Sequence, residues 1–129
     1  MDKMDGMDKM DKLDRIFQMQ KSLDDDIARR RGLDGIGFEE WMQKDVLAVM
    51  AELGELLDEV NFKWWKNKKE IDPPKVKEEL VDVLHFFVSM CIRAGFTADE
   101  LYEVYAAKNQ ENFDRQNGLS KKKGYAVNE

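Results

Sequence analysis

The chain has one cysteine, one histidine and two prolines in 129 residues. A single cysteine, Cys91, rules out an internal disulfide and any cysteine metal cluster within one chain. It sits in an apolar run, so a buried structural thiol is expected there. A single histidine, His85, rules out a catalytic triad or metal site that takes two histidines from one chain. The prolines are adjacent, at 73 and 74, and no segment alternates apolar with polar as a half-buried strand does. No apolar run approaches the roughly 20 residues of a spanning helix, and 37% of residues are charged, so no membrane partner is expected. The N-terminus lacks the apolar core of a signal peptide. With the cysteine count, this places the expected chain in the cytoplasm. Basic residues are also in deficit, 21 against 27 acidic, for a net charge of −6. That balance excludes a general nucleic-acid binder, which needs a basic surface. It leaves room for a nucleotide held by local lysines and a divalent cation.

What is present is helical. Residues 1–12, MDKMDGMDKMDK, are a degenerate repeat expected to be a frayed or disordered extension. Residues 13–115 are expected to form one helical domain, and 116–129 a mobile basic tail. The first helix is expected over Leu13–Arg31, with a stripe of Leu13, Ile16, Phe17, Gln20, Leu23, Asp24 and Ile27, stopped by Gly32. The second spans about Glu39 to Val60, with an extension to Trp65 left open. Its expected core arc is Val46, Val49, Met50, Leu53, Leu57 and Val60. Asp72 caps the third, Pro73 takes its first position, and Gly95 stops it after about Ala94. Thr97-Ala-Asp-Glu100 is a capping box for the fourth, which runs to about Asp114. Four helices on short connections predict an all-α four-helix bundle.

The carboxylates carry the chemistry. At about 100° per residue, Glu52, Glu55 and Glu59 share one face of helix two, bordering its core arc. Helix three reads LVDVLHFFVSMCI from Leu80 to Ile92, a pattern expected to be buried nearly all round. Yet it carries Glu79 and Asp82 on one face, with Phe86 a turn further on. A buried ionised carboxylate costs several kcal/mol unless it is paired or bound to metal. Two such pairs facing across a helical hairpin make an oxygen-only site suited to Mg²⁺ or Mn²⁺. The bland alternative is an ion-pair network with Lys63, Lys66 or Arg93. A di-iron bundle fits poorly, because it takes Glu-x-x-His from two helices and only Asp82-x-x-His85 imitates that here.

The surroundings extend the pattern. The stripe of helix four begins Leu101, Val104, Tyr105 and continues as Lys108, Asn112 and Arg115. Either the bundle ends and the face becomes wet, or an anion sits there, since arginine forks onto phosphate oxygens. Gln20 and Asp24 interrupt helix one, and a carboxamide in an apolar groove can read a base edge or bond to backbone. Phe62-Lys63-Trp64-Trp65-Lys66 can cap the core or cover a pocket mouth. Metal acids, phosphate cations and an amide-plus-aromatic recess together point to a nucleoside polyphosphate with Mg²⁺.

Glu52-Leu-Gly-Glu55, a spacer, then Glu79-Leu-Val-Asp82 resembles the ExxE…ExxD signature of all-α NTP pyrophosphatases, the group of MazG-like enzymes and dimeric dUTPases. Met19-Gln20-x-x-Leu23-Asp24, Phe62-Lys63-x-Trp65, Val83-Leu84-His85-Phe86 and Lys108-Asn109-x-x-Asn112-x-x-Arg115-Gln116-x-x-Gly118 resemble the dimeric dUTPase branch. The resemblance covers about residues 13–125. It implies hydrolysis of dUTP, and of dUDP, to dUMP, with pyrophosphate released from dUTP. It implies that Glu52, Glu55, Glu79 and Asp82 hold two or more Mg²⁺ ions, with Mn²⁺ a possible substitute, and assist an attacking water, Glu52 being assigned to the water. Lys108, Arg115, Lys63, Lys66 and Tyr125 would bind phosphates. Gln20 and Asn112 would read uracil. Asp24, Trp65, His85 and Phe86 would line the base and sugar pocket. A short insertion separates Gly118 from Tyr125, which leaves Lys121 to Lys123 as alternative phosphate contacts. The family packs as a homodimer, and a nearly all-apolar helix three in so small a chain agrees with that. A broader MazG-like or dCTP pyrophosphatase shares the acids without the same base readers. A non-enzymatic helical interaction module would use the acids only as surface ion pairs.

Overall fold

The computed structural model describes residues 10–128. The class is all-α, with four helices and no strand among the described residues. They are α1 (Lys12–Arg31), α2 (Phe38–Glu59), α3 (Pro73–Arg93) and α4 (Ala98–Gln116). The chain divides into two compact units, one ending at Gly95 and one beginning at Phe96. No single helix is long and apolar enough to cross a membrane.

Local signals set the helix ends. Most of the expected N-terminal extension lies outside the described residues. Its eleventh residue, Asp11, is the N-cap of α1, and Asp11 and Asp14 exchange side-chain-to-backbone bonds of 2.8 and 3.1 Å. Gly32 ends α1 in the left-handed region at φ 64°, its N–H on the Ala28 carbonyl. Asp72 caps α3 ahead of Pro73 as the sequence requires. The extension of α2 toward Trp65 does not form. Val60 caps the helix and Asn61 turns to φ 58°. The Asn61 carboxamide then grips the Lys69 backbone from both sides, at 2.9 and 3.0 Å. Asn tolerates that conformation, and its amide substitutes for a backbone partner.

In the first unit α3 packs against both α2 and α1. Residues 45 and 93 meet at one end of the α2–α3 pair, and 52 and 79 meet nearer the other, so the two helices run antiparallel. Phe17, Val88 and Cys91 are buried, and burial pushes the Cys91 thiol pKa up, as suits an inert structural cysteine.

Within the single chain two expected burials are incomplete. The arc assigned to the core of α2 is half exposed at Val46, Met50, Leu53, Leu57 and Val60. The less exposed stripe is Asp45, Ala48, Val49, Glu52, Leu56 and Glu59. Within one chain the less exposed side of the helix is therefore not its most apolar side, because three of those positions are acids. Nor is α3 buried all round: Leu80, Val81, Leu84 and Phe87 are about half exposed. A helix flanked by two neighbours keeps one side outward.

In the second unit Thr97 Oγ1 accepts from the Glu100 N–H and starts α4. After Gln116 the chain reverses through Gly118 at φ 73°, and the Leu119 N–H reaches the Asp114 carbonyl. Ser120 donates to Glu111 at 2.6 Å, tying the tail to its helix.

Candidate metal and nucleotide site

The acids of α2 and α3 converge. Glu52, Glu55 and Glu79 each bring a carboxylate oxygen to within 4.8 Å of the other two. The one-turn spacing on α2 supplies the first two, and the antiparallel crossing brings Glu79 opposite. Glu79 is only 3% exposed. One oxygen of Glu52 and one of Glu79 are buried with no hydrogen-bond partner among the described residues. Buried polar atoms without partners are rare in folded proteins and call for an explanation.

The charges say the same thing. The Glu52 pKa is pushed from 4.5 to about 7, by burial first, then by Glu55 and the charges of Asp82 and Glu79. That of Glu79 is also raised, again by burial and then by Glu55, with Lys75 opposing. Asp82 thus lies close enough to act on Glu52, but its oxygens are outside the mutual trio. The network of Lys63, Lys66 and Arg93 that would have neutralised the acids does not form. Lys63 pairs with Asp58 at 3.5 Å and Arg93 with Asp45 at 2.9 Å, while the Lys66 side chain makes no ion pair among the described residues. Among the described residues only the half-exposed Lys75 reaches Glu79, at 3.5 Å. Oxygen-only donors, unpartnered lone pairs and excess negative charge fit a hard divalent cation.

Beside the acids on α3 is a polar knot that the sequence does not announce. The Gln20 amide nitrogen donates to Asp24 at 2.9 Å and to Ser89 at 3.0 Å. Ser89 donates to Asp24 at 2.8 Å. The Gln20 oxygen faces His85 Nδ1 within hydrogen-bond reach. Gln20 and Ser89 are buried. An open groove of about 530 Å³ runs along this knot, walled by Ile16, Met19 and Leu23 on one side and by Leu84 and Val88 on the other. Its polar lining is Gln20 and His85. Inside its apolar run, nothing in the sequence marks Ser89 except its place one turn after His85.

The remaining site residues are placed as follows. Phe86 is partly buried on α3. Trp65 is 62% exposed and stacks edge-on with Trp64 at 4.6 Å. Lys63 and Lys66 line a hollow of about 370 Å³ with Asn61 and Lys69, in the loop after α2 and not among the three glutamates. In the second unit Lys108 and Asn112 are exposed on the same side of α4 as Arg115. Arg115 bonds Glu111 at 3.1 Å, and its guanidinium lies 5.3 Å from the Tyr125 ring centroid. Ser120 and Arg115 together hold the Glu111 carboxyl below its ordinary range. So Arg115 and Tyr125, two of the three residues expected to bind phosphate from the end of the chain, adjoin. Asp45 was also missed. It is buried, paired with Arg93, whose guanidinium lies 3.9 Å over the Trp41 ring. Burial outweighs that partner and leaves the Asp45 pKa raised.

The sequence profile of the dUTPase family matches residues 12–95, a span that holds all four acids and the polar knot. The chain belongs to the dUTPase family. This dUTPase-family chain is 34% identical over 74 residues to a dCTP pyrophosphatase of Enterobacteria phage LZ5, covering 57% of this chain and 43% of that one. It is 31% identical over 87 residues to the dCTP pyrophosphatase of Enterobacteria phage T4, covering 57% and 51%. The chain thus spans about half the length of these curated relatives. No solved structure matches it.

Proposed function

We propose that this chain is a divalent-cation-dependent diphosphatase that hydrolyses dUTP, and dUDP, to dUMP, releasing pyrophosphate from dUTP. The observation that carries the reading is the convergence of Glu52, Glu55 and Glu79 with buried oxygens that have no partner. These three, with Asp82 one turn along, would hold two or more Mg²⁺ ions, or Mn²⁺ in their place. Bound there, the metal supplies charge neutralisation for the polyphosphate and a more acidic water for attack at the α-phosphorus. Glu52 would accept the proton of that water. The groove beside His85 would take the base, with Phe86 against the sugar. By sequence resemblance alone, the second unit's Lys108, Arg115 and Tyr125 are assigned to phosphate oxygens and its Asn112 to the base. Lys63, Lys66 and Trp65 would approach from the loop after α2.

The half-exposed arcs at Met50, Leu53 and Leu57 on α2 and at Leu80 and Phe87 on α3 support a homodimer. Contiguous apolar faces of this kind mark interaction surfaces. Sedimentation velocity at micromolar concentration should give two chains per particle; a monomer would remove the dimer from the account.

A second reading is favoured by the names of the phage relatives: dCTP in place of dUTP on the same acids. Pyrophosphate release from dUTP, dCTP, dTTP, dATP and UTP, with Mg²⁺ and then with EDTA, separates the readings. The proposal expects dUTP to be hydrolysed best and only with metal. Preference for dCTP would select the second reading. Equal turnover across the panel would indicate a broader MazG-like enzyme. No turnover by folded protein would favour a helical interaction module.

A further inference from the structure

The polar knot determines where its own protons lie. A carboxylate only accepts hydrogen bonds, so the end of Gln20 facing Asp24 must be the NH₂ group. Its two hydrogens go to Asp24 and Ser89, at 2.9 and 3.0 Å. Ser89 spends its own proton on the other Asp24 oxygen, at 2.8 Å. The Gln20 carbonyl is thereby turned to His85 Nδ1. A carbonyl cannot donate, so Nδ1 carries the hydrogen, and in the neutral ring Nε2 is bare.

We propose that Asp24 and Ser89 are positioning residues that fix Gln20 and, through it, the Nδ1–H tautomer of His85, so that His85 Nε2 meets the substrate base as a hydrogen-bond acceptor. This rests on the nucleotide reading above and deepens it. Both amide hydrogens of Gln20 are committed. Gln20 is buried and its oxygen is engaged by His85 Nδ1, whereas His85 is exposed, so the acceptor left on the groove's polar wall is the bare His85 Nε2. The rest of the wall is apolar. The groove therefore selects a base edge that donates an N–H: the imide N3–H of uracil or the exocyclic amine of cytosine. Gln20 acts as the relay and not as the donor to the base. Asn in place of Asp24 can offer either a donor or an acceptor, so Asp24→Asn frees the carboxamide to flip at almost no change in volume.

The chain has one histidine, so ¹⁵N-histidine labelling gives a single-site readout on the whole protein. Long-range ¹H–¹⁵N spectra of the neutral ring should show Nδ1 protonated. In Asp24→Asn and Ser89→Ala the tautomers should mix. In parallel, the wild type should turn over N3-methyl-dUTP with kcat/KM at least about tenfold below dUTP, the size of one lost buried hydrogen bond. That ratio should shrink in both variants, with KM for dUTP rising more than kcat falls. An Nε2–H spectrum in the wild type overturns the proposal whatever the kinetics. So does a tautomer and selectivity unchanged in Asp24→Asn. If no nucleotide is turned over but the tautomer is Nδ1–H and shifts in Asp24→Asn, the lock is supported and the proposed reaction is the part that fails.

Discussion

Glu79→Gln is expected to lower the proposed metal-dependent dUTP hydrolysis by about three orders of magnitude while leaving the helical circular dichroism intact. The size follows from what is removed. Glu79 is buried, one of its oxygens has no partner, and it faces Glu52 and Glu55 within 4.8 Å. Losing one preorganised charged group at a phosphoryl-transfer centre costs on the order of 10²–10³ in rate. Gln keeps the shape but not the charge, and it brings donor hydrogens into a space built for a cation. The fold should tolerate it, because the carboxylate is a burden without metal: burial and Glu55 raise its pKa. The metal-free Glu79→Gln protein should therefore melt no lower than wild type near pH 8. Turnover within tenfold of wild type would remove Glu79 from the reaction. A lost circular dichroism signal would make it a structural residue.

Metal-free stability is expected to fall as pH rises from about 5 to 8, and Mg²⁺ is expected to cancel that fall. The Glu52 carboxyl has an ordinary pKa of 4.5 and is pushed to about 7 in the fold. Between those values the folded chain binds more protons than the unfolded one, so stability declines with rising pH. The contribution is fully present below the unfolded value and is lost through the folded one. Glu79 shifts the same way. A cation binds the ionised forms and displaces their protons, so its affinity should climb through the same window. Thermal melts with EDTA and with Mg²⁺ at pH 5, 6, 7 and 8 should converge at pH 5 and separate most at pH 8. Parallel curves would mean that the cation, if it binds, does not bind these carboxyls.

The sequence was most informative where interactions are local. Gly32, Asp72-Pro73, Gly95 and Thr97 mark helix ends through contacts within a few residues, and the structure uses each of them, while the cap at Asp11 falls inside the stretch expected to fray. The acid pairs were legible for the same reason, since one helical turn fixes Glu52 beside Glu55. The rotation of α2 was not. Within one chain its less exposed stripe includes Asp45, Glu52 and Glu59, so a reading that sends apolar residues inward does not find that stripe. A functional site breaks the hydrophobic rule where the chain pairs or binds something. The Gln20–Ser89 bond joins residues 69 apart, and no periodicity in one helix reveals a partner in another. Gln20 was visible as an interruption, but what satisfies it became visible only when α1 lay against α3.

The central claim is that Glu52, Glu55 and Glu79 hold a catalytic divalent cation. Calorimetric titration of the metal-free wild-type chain and of Glu52→Gln with Mn²⁺ at pH 8 tests it most directly. The wild-type chain should bind at least one ion saturably, with proton release, and Glu52→Gln should lose that binding. Binding of equal affinity in both proteins, or none in the wild type, would contradict it.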